Sequence, residues 1–112
     1  ANLARGMTLE DGAATLTAFS AEAVAHAIRQ FDDTPDQLIV CGGGRRNPQL
    51  MAELKSRVPC TVRSAEAVGW LGDSIEAQAF AYLAVRTMRG LPISWPGTTN
   101  APVGMTGGRI AD

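Results

Sequence analysis

The sequence predicts an α/β fold: a short parallel sheet with flanking helices. Three observations predict it. Helix-like and strand-like segments alternate in the order helix, strand, helix, strand, helix. The first strand, "QLIVC", is a continuous apolar run rich in β-branched residues, the pattern of a strand covered on both faces. A strand–helix–strand crossover is normally right-handed and joins parallel neighbours.

The elements follow in order. From Thr8 to about Phe31, the residues Leu9, Ala13, Leu16, Phe19, Ala23, Val24, Ala27, Ile28 and Phe31 recur at three- and four-residue steps, which predicts one apolar helix face. Thr8 with Asp11 resembles a capping pair at its start. "DDTPDQ" interrupts, because Pro35 disfavours helix in the residue before it and the aspartates prefer turns. After "QLIVC" and three glycines, Asn47 is a good N-cap. Pro48 sits where the first helical residue needs no amide hydrogen, so a helix should run to about Arg57 with Leu50, Met51, Leu54 and Val58 on one face. Pro59 closes it. "CTVRSA" reads as a second strand and "SAEAVGWLGD" as a loop. "SIEAQAFAYLAVRTMR" is a helix that Gly90 ends in the C′ position. Its apolar residues run almost all round, so it should be enclosed. The remainder to Asp112, rich in proline and glycine, reads as an irregular tail.

Composition bounds the function. The 112 residues fit one domain; 46% are apolar and 19% charged, as in globular proteins, with no run long enough for a membrane span. A net charge of −1 leaves no basic field for a nucleic-acid backbone. The first residues lack a secretory pattern, and Cys41 and Cys60 form no C-x-x-C, so a cytoplasmic protein with two small core thiols and no metal site is expected. His26 has no ligand partner at suitable spacing and reads as a surface or core-edge residue. Trp70 and Trp95 read as partly buried.

"CGGGRRNPQLM" carries the chemistry. A glycine-rich turn between strand and helix exposes backbone amides and the positive end of the helix dipole, so an anion or nucleotide can approach without a Cβ in the way. It is neither a P-loop, which needs Gly-Lys-Ser/Thr, nor a Rossmann fingerprint, which needs glycine where Asn47 stands. A tight turn made only for strand-to-helix packing is the competing reading. Arg45 and Arg46 read as solvated residues of the helix entry rather than phosphate ligands.

Together with "VGWLGDSIEAQAFAYLA", this segment resembles the C-terminal portion of the anhydro-N-acetylmuramic acid kinases, of the superfamily of sugar kinases, heat-shock ATPases and actin. Their pattern is approximately C/S-G-G-G-x-x-N-P-x-L-M, then a helix opening D-x-x-E-A-x-A-F-A, then a proline-rich segment with T-G-A. The first two blocks match at Cys41 to Met51 and at Asp73 to Ala81. The third is approximate, at "WPGTTNAP", where Asn100 stands in the glycine place. The match runs from about Leu38 onward, and the helix before it agrees in character.

The resemblance implies an actin-like, ribonuclease-H-like ATPase domain. Residues 1–112 would be part of the C-terminal nucleotide-binding domain of a two-domain sugar kinase. It implies that the enzyme uses ATP and Mg2+ to convert 1,6-anhydro-N-acetylmuramic acid and water to N-acetylmuramic acid 6-phosphate in peptidoglycan recycling. Gly42, Gly43 and Gly44 would face the nucleotide with Asn47 close to the nucleoside, and Glu76 would lie beside the amino sugar. Spacing alone gives Glu76 another role, reaching back in a capping box with Asp73.

The family's first phosphate loop, roughly G-T-S-x-D-G, and its base aspartate match nothing in this chain. The resemblance therefore implies a segment without a catalytic residue of its own, inactive alone. Its sheet would lack three antiparallel strands, leaving surface for a homodimer or other cover. A non-catalytic nucleotide- or protein-binding module with the same fold, and an unrelated flavodoxin-like or Rossmann-like binder, are the alternatives.

Overall fold

A computed structural model describes residues 4–110. They fall into two compact units, Ala1–Asp73 and Ser74–Asp112. The end of the expected tail, residues 111–112, lies outside the described residues.

The first unit holds α1 (Leu9–Ile28), β1 (Gln37–Val40), α2 (Pro48–Arg57) and β2 (Thr61–Ser64), with 3-10 turns at Gly43–Arg46 and Ala65–Val68. β1 and β2 are parallel neighbours, with Leu38 opposite Val62 and Val40 opposite Ser64. The α/β expectation holds, in the form of a two-stranded parallel sheet with flanking helices. Both strands of so small a sheet are edges, so Leu38, Ile39 and Val40 are only half-buried, short of the two-sided cover expected.

Local signals set the helix ends. The Thr8 hydroxyl accepts a hydrogen bond from the Asp11 amide at 3.1 Å, which starts α1 where expected. Asn47 caps α2, with Pro48 at its first position and Val58 as its C-cap. Leu54 and Val58 are buried, with Leu50 and Met51 packed beside them, as the α2 stripe predicted.

The face of α1 is a correction. Its buried residues are Gly12, Ala21, Ala25 and Ile28, whereas Leu9, Leu16, Phe19 and Val24 are exposed, as is Phe31 beyond the helix end. Ile28 alone belongs to both the expected and the observed stripe. The small side chains of Ala21 and Ala25 join Leu54, Val58 and Val62 in the core, so α1 presents its narrow stripe to α2 and turns its bulky one away. Cys60 packs against this core, but Cys41 is exposed at the end of β1, against the expectation of a core thiol.

The second unit holds α3 (Ile75–Met88) and a one-turn α4 (Pro96–Thr99). Gly90, at φ +64°, ends α3. The Gly90 amide donates to the Thr87 carbonyl at 3.0 Å and the Leu91 amide to the Arg86 carbonyl at 2.9 Å, the paired bonds of a Schellman motif. The tail is less irregular than expected. Ser94 and Met105 form an antiparallel bridge, and the Arg86 guanidinium lies 5.0 Å from the Trp95 ring centroid while donating to the Pro92 carbonyl. Asn100, where the resemblance puts glycine, has φ +55°; asparagine is among the few side chains that tolerate this left-handed conformation.

α3 departs from the enclosed helix expected. None of its residues is buried, and Phe80, Tyr82, Val85 and Met88 are exposed. Among the described residues of the unit, the 91–110 segment lies against α3 and leaves a 460 Å³ apolar groove lined by Phe80, Leu83, Met88, Ile93 and Ile110 among others. Among the described residues no helix is long and apolar enough to cross a membrane.

Candidate functional site

The glycine turn sits at the carboxyl end of β1, where parallel α/β sheets place their ligands. Its three glycines differ in what the fold asks of them. Gly42 has φ +68° and ψ −171°, a region reached essentially by glycine alone. A Cβ on Gly44 would lie 3.2 Å from the Leu50 Cδ2, so that position is small for packing. Gly43 needs neither excuse: its φ is outside the left-handed region and a Cβ there would meet nothing within 4 Å. The fold accounts for two of the three, and the third leaves open backbone where a ligand of this turn would lie.

Asn47 follows. Its Oδ1 accepts from the Gln49 amide at 3.0 Å and the Leu50 amide at 3.2 Å, so the carbonyl end of the side chain is committed to α2. A cavity of 180 Å³ opens beside it, lined by Leu16, Thr17, Ser20, Asn47 and Leu50. This is below the roughly 300–1,000 Å³ of ligand pockets.

Arg45 is a second correction. Instead of being solvated it is buried, with only 9% of its surface exposed. Its Nε donates to Glu66 Oε1 at 2.7 Å, its Nη1 to the Gly42 carbonyl at 2.7 Å, and its Nη2 pairs with Asp73 Oδ1 at 2.9 Å. Arg46, which is exposed, also pairs with Asp73. The bonds to Glu66 and then Asp73 raise the Arg45 pKa. Glu66 is held below the ordinary glutamate value first by its own backbone amide and next by Arg45. Sequence reasoning missed this cluster, since its partners stand 21 and 28 positions from Arg45 and no local pattern announces them.

Glu76 lies in the second unit, exposed in the first turn of α3. The capping box with Asp73 does not form. Ser74 is the N-cap, no side chain caps the helix, and the Asp73 carboxylate is engaged by the two arginines. Glu76 is thereby free of the competing structural role. His26 is exposed, Trp70 is 53% exposed and Trp95 is at the margin of exposure; among the described residues no cluster of three or more His, Cys, Asp or Glu could hold a metal ion.

Fold and turn together define the class: an α/β element in which a glycine turn joins a parallel strand to a helix N-terminus, with bare backbone at its centre. Comparison with known proteins gives the family. The family model described as anhydro-N-acetylmuramic acid kinase matches residues 1–111, and the chain belongs to that family. It is 64% identical to the anhydro-N-acetylmuramic acid kinase of Caulobacter vibrioides over 93% of this chain and 28% of the relative. The proteins of that name from Rhizobium rhizogenes and Mesorhizobium japonicum are 52% and 53% identical, over 100% and 99% of this chain and 30% of each relative. The chain thus spans less than a third of these relatives. The match fixes that share, not the C-terminal position that the motifs imply.

Proposed function

We propose that the chain is part of an ATP-dependent kinase that converts 1,6-anhydro-N-acetylmuramic acid and water to N-acetylmuramic acid 6-phosphate. Family membership supports this reading. The observation that carries the role of this segment is the open backbone at Gly43, a glycine that neither conformation nor packing requires. In the proposal ATP, with Mg2+ neutralising its phosphates, supplies the phosphoryl group. Gly42, Gly43 and Gly44 form the backbone surface against which the nucleotide lies, next to the N-terminus of α2. Asn47 holds that helix end with its Oδ1 and flanks the nucleoside. The exposed Glu76 carboxylate accepts hydrogen bonds from sugar hydroxyls or water. The first phosphate loop and the base are contributed by the rest of the enzyme, in the cytoplasm where ATP is available.

Gly43→Ala in the full-length enzyme tests the turn. A Cβ there meets no protein atom, so the melting temperature should hold within about 2 °C, while KM for ATP should rise about tenfold as the methyl group displaces the nucleotide. An unchanged KM for ATP would remove the glycine turn from the nucleotide site. Glu76→Gln should lower kcat/KM for the anhydro sugar by about tenfold or more with folding unchanged. Normal sugar kinetics in that variant would take Glu76 out of the sugar site.

A further inference from the structure

Among the described residues Arg45 is the one buried charged side chain, and what it grips is the backbone of the glycine turn. Its Nη1 donates to the Gly42 carbonyl while Glu66 and Asp73 hold the other edges of the guanidinium. Gly72 makes room for it: a Cβ there would lie 2.3 Å from Arg45 Nε and 2.7 Å from Cζ, so the two positions are fitted to one another. Gly42 needs such a restraint, since a glycine backbone is conformationally free and this one is held in a sparsely populated region.

We propose that Arg45 is a positioning residue for the nucleotide, acting through the Gly42–Gly43 peptide. That peptide is planar and trans, so its carbonyl and its N–H point in opposite directions. By fixing the Gly42 oxygen on one side, Arg45 aims the Gly43 N–H to the other. A charge-assisted bond to the oxygen also polarises the whole amide, which makes its N–H a better donor to an anion. Glu66 and Asp73 keep the guanidinium in plane and balance its charge, so Arg45 serves the phosphates without touching them. The inference rests on the proposed placement of the nucleotide at the glycine turn.

The test uses the full-length enzyme with ATP and 1,6-anhydro-N-acetylmuramic acid, and compares Arg45→Met, Arg45→Lys, Gly72→Ala and Gly43→Ala. Arg45→Met should raise KM for ATP about tenfold or more while KM for the sugar stays within about twofold. Arg45→Lys, which keeps the charge but not the planar fork that reaches Gly42, Glu66 and Asp73 together, should recover part of the loss. Gly72→Ala displaces the guanidinium without removing it and should reproduce the ATP defect, which keeps the question answerable if Arg45→Met does not fold. A folded Arg45→Met, or in its absence Gly72→Ala, with normal KM for ATP overturns the proposal. The Gly43→Ala result then separates the two readings: if it weakens ATP, the glycine site stands without Arg45, and if it does not, both fall. A rise in both KM values together would make Arg45 a general scaffold residue and also overturn it.

Discussion

Glu66 shows how a single side chain ties charge to stability. Its carboxylate accepts from its own backbone amide and from Arg45, and its pKa is accordingly lowered from the ordinary value of 4.5. A carboxyl group with a depressed pKa in the folded state contributes stability that is complete above its unfolded pKa and is lost as pH falls through the folded one. The full-length enzyme should therefore exceed its Glu66→Gln variant in denaturant midpoint at neutral pH, and the gap should close as the pH drops below about 4.5. A gap independent of pH would mean that the carboxylate charge plays no part. The same cluster marks where sequence reasoning stops. "GGGRRN" shows two adjacent arginines with the same local prospects, yet one is buried and the other exposed. The difference comes from Glu66, Asp73 and the missing side chain of Gly72, all remote in sequence.

At the scale of elements, α2 was legible from end to end and α1 only in its length. Asn47 and Val58 bond to residues within four positions and Pro48 needs no amide partner at the first helical position, so the signals that bound α2 are short-range. The face a helix buries depends on its partner, and the Ala21–Ala25–Ile28 stripe won over the bulkier one because α2 can approach it closely. The glycine turn stands between these cases. Its position was readable from the strand and the cap around it, whereas the division of labour among Gly42, Gly43 and Gly44 needed backbone angles and neighbours. The committed Oδ1 of Asn47 gives a further expectation. Asn47→Ala should destabilise the enzyme by about 1 kcal/mol through the lost cap, read from the denaturant midpoint, and Asn47→Asp should restore most of it. Unchanged stability with weakened ATP binding would instead make Asn47 chiefly a nucleoside contact.

For the whole molecule, the decisive feature is apolar surface without cover. α1 turns Leu9, Leu16 and Phe19 outward, and α3 exposes Phe80, Tyr82, Val85 and Met88 along with its groove. The buried hydrophobic residues among the described ones are Ala21, Ala25, Ile28, Leu54, Val58, Val62 and Ala65, three of them alanines, which is a slender core. Such exposed apolar stripes are the kind of surface that neighbouring protein buries, and the chain spans under a third of its relatives. The 112-residue chain produced alone should therefore be marginally stable or self-associating. Sedimentation should show a weight-average mass that rises with concentration, and thermal unfolding should be broad or should shift upward as the protein is concentrated. Replacing Phe19 and Phe80 together with serine should reduce the association without disturbing the buried core, since neither side chain contributes to it. A sharp, concentration-independent transition of a monomer would show that this slender core suffices, and the exposed stripes would then need no partner to explain them.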